Sequence, residues 1–119
     1  TSIRLVLNLP VDSSEKSEMI TFQNDCLRPI LKFQHPIIIA FFRSYCKERK
    51  TDIGSLTSEE KLTFIKQNIL NDHKLKAYYQ GQISSLFTED EFSFYLKNKR
   101  EVNKRISSML IDRILDGIK

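Results

Sequence analysis

The chain has 119 residues, a size at which one compact domain with its own hydrophobic core is expected. Hydrophobic residues make up 40% and charged residues 29%, which excludes a disordered, collagen-like or membrane-embedded chain. The net charge of +4 permits contact with an acidic partner but does not demand one. The longest apolar run, residues 37–42, is far shorter than the roughly 20 residues that span a bilayer, so no membrane partner is expected.

The N-terminal segment differs from the rest of the chain. Residues 3–9 alternate loosely between apolar and polar side chains, which indicates an edge strand or an extended arm. Residues 11–17 are polar and are predicted to form a loop. We therefore expect an arm and loop over residues 1–17 and a helical body over residues 18–119. The segment 3–9 is too short and wrongly flanked for a whole signal peptide, so a cytoplasmic location is the default.

Helical patterns begin near residue 18 and continue to residue 50. Within them, Pro29 indicates either a helix that begins near Asn24 or a longer helix that is kinked. Pro36 marks a second kink or boundary. Residues 37–50 are apolar on nearly all sides, which favours a central helix, with a buried strand over residues 37–39 as the rival interpretation.

Two capping boxes predict later helix starts. Thr57 with Glu60, and Thr88 with Glu91, each place a hydroxyl three residues before a carboxylate. Between them, Asn71 or Asp72 can cap another helix. Gly81 lies inside that helix, where it either permits close helix packing or is simply tolerated at a cost of about 1 kcal/mol.

The last predicted helix covers residues 89–116 and, at 1.5 Å per residue, is about 42 Å long. Such a helix exceeds the rest of the domain, so it projects, bends near residues 98–103, or packs against a second copy. The sequence as a whole predicts an all-α, single-domain bundle of four or five helices, with a long C-terminal helix and an extended N-terminal arm.

No arrangement of residues indicates catalysis, a cofactor or a metal. His35 and His73 are the only histidines, and no motif places a nucleophile and a base beside either of them. Cys26 and Cys46 have no second Cys or His within four residues, so we expect buried free thiols. We therefore predict no catalytic, cofactor-binding or metal-ligating residue, and we regard an enzyme as the less favoured class.

The most basic segment lies in the last helix. The predicted basic face consists of Lys97, Arg100, Lys104 and Arg105, and it suits a nucleic acid or an acidic partner. The simpler interpretation is a solvated face, because no side chains for base readout are identifiable.

Three segments carry a resemblance to a known family. Residues 22–34 (FQNDCLRPILKFQ), residues 81–92 (GQISSLFTEDEF) and residues 103–106 (NKRI) followed by Met109 resemble a family of small, uncharacterised bacterial helical proteins. The resemblance implies a helical fold and no established activity. Some members carry an automatic glyoxalase label, but such a site needs strands with His and Glu metal ligands, which this sequence lacks. Within the motif LRPIL, Arg28 is expected to form a buried ion pair or, alternatively, to act in function.

These observations favour a non-catalytic protein-interaction module that forms a homodimer. The dimer is motivated by the distal apolar positions of the long last helix, which would otherwise lack cover. The first alternative is a nucleic-acid-binding protein that uses the basic face. The second is a small-ligand binder or enzyme with a pocket between helices near Arg28, Tyr78 and Tyr79.

Overall fold

The N-terminal part of the chain is one long helical segment. The computed structural model describes residues 9–118, with side chains described for residues 16–118. Helix α1 covers Leu9–Phe22 and continues through a π-helical turn, Gln23–Leu27, into α2, Arg28–Glu48. The loop expected over residues 11–17 is therefore wrong, because these residues belong to α1. The strand expected over residues 3–9 lies, except for Leu9, outside the described residues.

Pro29 and Pro36, which lie in the interior of this segment, do not end the helix. Pro29 lies in the first turn of α2, directly after the π turn. There the backbone N–H of Arg28 donates to the carbonyl of Gln23, five residues back, so the wider turn makes room for the proline ring. Pro36 lies inside α2 and is exposed to solvent, where water can satisfy the carbonyl that loses its donor. The alternatives of a boundary at Pro36 and of a strand over residues 37–39 are wrong.

Four further helices complete an all-α domain, and no strand occurs within residues 9–118. A short 3₁₀ turn, Ile53–Ser55, leads into α3, Ser58–Asn71, and α4, His73–Ser84; α5, Glu89–Lys97, and α6, Lys99–Gly117, follow. Both predicted capping boxes are present: Thr57 caps α3 with Glu60, and Thr88 caps α5 with Glu91. Because α1 and α2 form one continuous helical segment, the described residues contain five helical rods, and the predicted bundle of four or five helices is confirmed.

The C-terminal region is two helices and not one helix of 28 residues. Asn98 ends α5 and begins α6, with a φ of −128°. Its side-chain amide donates to the carbonyl of Phe94 at 3.0 Å, so the side chain competes with the helical backbone pattern. The hydroxyl of Tyr95 donates to Asn103 Oδ1 at 2.8 Å across the break. The bend expected as an alternative near residues 98–103 is the arrangement observed.

The break allows α6 to pack within its own chain. Its buried face packs against α2 and α3, with smaller contacts to α4 and α5. Residues of this face are 0–2% exposed: Val102, Ile106, Leu110 and Ile114. Ile118 is also buried and Met109 is half-buried, so the distal apolar positions do not need a second copy for cover. The premise of the predicted dimer is wrong, although the dimer itself is not thereby tested.

The domain is more elongated than its length suggests. A radius of gyration of about 14 Å is typical of 119 residues, whereas the observed value is 16.6 Å, with extents of 53 × 30 × 22 Å. The longest element of the described residues is the helical segment formed by α1, the π turn and α2. No helix among the described residues is long and apolar enough to cross a membrane.

Two glycines in helices provide a matched test of this packing. A Cβ at Gly81 would meet no atom within 4 Å, so the close helix packing considered for this glycine is wrong. A Cβ at Gly117 would lie 2.5 Å from Ile39 Cδ1 and 2.9 Å from Ile39 Cγ1, so Gly117 permits the close approach of α6 to α2.

We expect Gly81→Ala to raise the free energy of unfolding by about 1 kcal/mol, the difference in helix propensity. We expect Gly117→Ala to lower it by about 1–3 kcal/mol, because Ile39 must move. Urea unfolding measures both changes. An equal gain in stability from the two substitutions would contradict the packing of α6 on α2.

Candidate functional site

The residues of the predicted basic face do not stay together. Lys97, Arg100 and Lys104 are exposed, as expected, but the break at Asn98 places Lys97 on α5 and the other two on α6. Arg105 is half-buried and faces another side of α6. Its Nη1 donates to Gln23 Oε1 at 2.6 Å, and its Nε lies 3.3 Å from Glu101 Oε2. Only Arg100 and Lys104 remain on one surface.

That surface is one wall of a cleft of about 960 Å³ between α3, α4 and α6, which we call the basic groove. Its apolar lining comes from Leu62 and Leu70 on α3 and Ile111 on α6. Four cations line it, together with only two carboxylates: Lys66, Lys76, Arg100 and Lys104, against Glu101 and Asp112. An apolar cleft with an excess of positive charge is suited to an amphipathic anionic ligand.

The predicted pocket near Arg28, Tyr78 and Tyr79 does not form. Tyr79 is completely buried, and its hydroxyl donates to the carbonyl of Ile38 at 2.8 Å. Tyr78 lies on the surface and stacks on Phe41, with 3.8 Å between ring centroids. Arg28 is exposed on the N-terminal turn of α2 and lines a different cleft. The buried ion pair expected for Arg28 is also wrong, because its Nε donates to the neutral Asn24 Oδ1 at 2.9 Å.

The cleft beside Arg28 lies between the N-terminal half of α2 and α6 and has a volume of about 600 Å³. Three arginines line it: Arg28, Arg105 and Arg113. We call it the arginine cleft. His35 also lines it, with its Nδ1 3.3 Å from Arg113 Nη1. Two carboxylates, Asp112 and Asp116, complete its charged lining.

Both cysteines are buried and free, as predicted. Burial, followed by the nearby Glu91 carboxylate, raises the pKa of the Cys26 thiol to about 12. Burial also raises the pKa of Cys46. Both thiols are therefore protonated at neutral pH, and neither is activated as a nucleophile.

A polar network connects the end of α2 to the junction of α3 and α4. Asp72 caps α4: its Oδ1 accepts from the backbone N–H groups of Lys74 and Leu75 at 3.1 and 3.2 Å. Its Oδ2 accepts from Arg49 Nη2 at 2.5 Å and lies 2.7 Å from the hydroxyl of Tyr45. The carboxylate thus caps α4 and connects it to the end of α2, so we interpret the network as structural.

The same contacts set the ionisation of the two groups. The hydrogen bond from Tyr45 is the largest cause that lowers the pKa of Asp72, followed by the backbone N–H of Leu75. Burial and Asp72 raise the pKa of Tyr45, which therefore keeps its proton at neutral pH.

Because the pKa of Asp72 is lower in the folded state, its stabilising contribution is complete above the pKa of the unfolded state. The contribution is lost as the pH falls through the folded pKa. We expect Asp72→Asn to lower the melting temperature at neutral pH and to reduce its dependence on pH between about pH 5 and pH 2. Asp52→Asn, at an exposed position outside this network, is the control. Equal effects of the two substitutions in thermal unfolding would contradict this assignment.

The sequence did not show which residues on different helices line each cleft together. Lys66 and Lys76 lie on α3 and α4, and no pattern along the chain connects them with Arg100. Leu62, Lys66 and Leu70 are spaced by four residues, which is the one local sign that they share a helical face. The only local sign for Arg113 is its position as a basic residue between the apolar residues Leu110 and Ile114.

Comparisons with models of known protein families, with curated proteins and with solved structures each found no match. The resemblance of residues 22–34, 81–92 and 103–106 to a bacterial helical family therefore stays a prediction. Within the described part of the chain, no group of three or more His, Cys, Asp or Glu side chains is arranged to hold a metal ion.

Proposed function

We propose that this protein is a non-catalytic interaction module that holds an acidic amphipathic helix of a partner protein in the basic groove. The observation that carries the proposal is the combination of an apolar lining with four cations and two carboxylates. Apolar side chains of a partner helix lie on Leu62, Leu70 and Ile111, and its carboxylates face the surrounding lysines and Arg100. Charge complementarity of this kind speeds association and selects against basic partners.

The form of the occupant follows from the groove walls. All three walls are helices, whose backbone groups are already bonded, so the groove offers no strand edge to an extended peptide. It has no aromatic lining, which proline-rich ligands require. The α6 wall runs from Arg100 to Asp112, about 18 Å, which matches about three turns of helix. These walls therefore favour a short helix, which satisfies its own backbone, over an extended or a proline-rich peptide.

The test uses a fluorescein-labelled helical peptide of about 14 residues, with leucines at helical spacing and glutamates elsewhere. We expect fluorescence anisotropy to give micromolar affinity, and the double substitution Lys66→Glu with Lys104→Glu to weaken it at least about tenfold. Lys16→Glu with Lys32→Glu makes the same change in net charge at exposed positions outside the groove. If both double substitutions weaken peptide binding equally, the effect comes from net charge alone, and the proposal is contradicted.

A second matched pair tests the apolar lining. Leu70 is 43% exposed in the groove, and Leu86 is 42% exposed outside it. Both tolerate a charge without loss of the core, because both already contact water. We expect Leu70→Glu to abolish peptide binding and Leu86→Glu to preserve it.

The nucleic-acid alternative is supported by the exposure of Lys97, Arg100 and Lys104. Lys97 separates the two proposals, because it lies on α5 outside the groove. Loss of peptide binding in Lys97→Glu would contradict the groove. Binding of a 20-base-pair duplex tighter than about 10⁻⁷ M, with a steep salt dependence, would favour the nucleic-acid function instead.

Self-association remains part of the proposal on a different surface. Phe33 is 75% exposed and Ile37 is 52% exposed, one turn apart on α2. Sedimentation equilibrium of a homodimer gives twice the chain mass of 14.0 kDa, and Phe33→Ser should return the monomer mass. A monomer mass that persists at about 100 μM would reject the dimer. A cytoplasmic location is also proposed, and it is supported by the two buried free thiols.

A further inference from the structure

The arginine cleft is separate from the basic groove in chemistry. Its charged lining combines three arginines with His35, Asp112 and Asp116, and its apolar lining is limited to Leu31 and Met109. The two clefts lie on opposite sides of an outer ridge of α6, where Ser108 and Asp112 line both. The arginine cleft is not needed for the partner helix proposed above, and its role requires its own explanation.

The three guanidinium groups are oriented mainly by neutral side chains. Arg28 donates to Asn24, Arg105 to Gln23, and Arg113 lies against the Nδ1 of His35. Neither Arg28 nor Arg113 forms an ion pair among the described residues, and only Arg105 does, with Glu101 at 3.3 Å. A neutral acceptor fixes the position of a guanidinium but leaves its charge and most of its five N–H groups available.

The arginines form a row along the cleft. Arg105 and Arg113 are eight residues apart on α6, about 12 Å along its axis. Their partners on the other wall, Gln23 and His35, lie on either side of Arg28 in sequence. Arg28 is therefore placed between the two ends of the row. A row of forked donors fits an elongated anion with several oxygens better than a single spherical ion.

We propose that the arginine cleft binds a small ligand through a diphosphate group. Arg28 and Arg113 contact the phosphate oxygens in forked pairs, and Arg105 contributes charge while it remains bonded to Gln23. The hydroxyl of Ser108 and the amide of Gln23, which also line the cleft, supply neutral donors to the same oxygens. The negative charge of the Asp112 carboxylate disfavours a phosphate group beside it. The same carboxylate accepts hydrogen bonds from N–H or O–H groups of the ligand.

The experiment is isothermal titration calorimetry with inorganic pyrophosphate as the probe, at constant ionic strength. We expect saturable binding, with inorganic phosphate at least about tenfold weaker because it cannot reach along the row. A pyrophosphate Kd above about 5 mM, or equal binding of pyrophosphate and phosphate, would overturn the proposal.

Variants assign the binding to the cleft. Arg28→Gln removes an exposed guanidinium and is not expected to affect folding; it should raise the pyrophosphate Kd at least about tenfold. Arg43→Gln makes the same change at an exposed position of α2 outside the cleft and should leave the Kd within about twofold. Equal effects of the two variants would reduce the binding to general surface charge and overturn the proposal.

A third variant separates the forked contact from charge alone. Arg113→Lys keeps the charge but loses the planar fork, so we expect it to raise the Kd while unfolding at the wild-type temperature. If Arg28→Gln binds pyrophosphate with the wild-type Kd, the cleft is not the binding site, and this conclusion holds for any result with Arg113→Lys. A 12-nucleotide single strand is a competing ligand in the same titration. If it displaces pyrophosphate at a concentration below that of pyrophosphate, the cleft binds a nucleic-acid backbone and not a small diphosphate ligand, and the proposal is overturned. None of these results depends on peptide binding to the basic groove.

Discussion

The burial of one face of α6 is the constraint on which the rest of this structure depends. Val102, Ile106, Leu110 and Ile114 recur every four residues and are almost inaccessible to water. They form the centre of a core to which α2, α3 and α4 contribute further apolar side chains, among them Ile38, Ile65 and Tyr79. Once this face is fixed, the two remaining sides of α6 lie at the surface. One side lines the basic groove, and the other lines the arginine cleft.

The break at Asn98 makes this arrangement possible. Asn98 ends α5 at little cost, because its amide satisfies the carbonyl of Phe94 and its own carbonyl accepts from the N–H of Val102 at 2.9 Å. The aromatic rings of Phe22 and Phe94 then stack with 4.6 Å between centroids, which holds α5 against α1.

Local patterns in the sequence were sufficient for much of the fold. The capping boxes at Thr57 and Thr88 act within one turn of helix, and the burial of Cys26 and Cys46 follows from their apolar neighbours. The part of α1 before residue 18 was missed because residues 12–18 are all polar or charged, and only Met19 and Phe22 of the described side chains of α1 are buried. Proline usually ends a helix, but Pro10 lies in the first turn of α1, where its missing N–H costs no hydrogen bond.

The clefts could be predicted only in part, because each is assembled by helices that are distant in sequence. Arg100 and Lys104 were identified from helical spacing, whereas Lys66 joins them only through the packing of α3 on α6. Arg28 was expected beside two tyrosines, but it lies instead on the wall that faces Arg105. Helical periodicity shows which residues share a face of one helix. It does not show which faces of different helices meet.

The central claim is that α6 separates two binding surfaces of different chemistry. The most direct test is a ¹H–¹⁵N NMR titration of one sample, first with the acidic helical peptide and then with pyrophosphate. The account predicts two sets of shifted amides: around Lys66, Gln80 and Arg100 for the peptide, and around Arg28, His35 and Arg113 for pyrophosphate, which meet only at Ser108 and Asp112. A single set of amides that responds to both probes would contradict it.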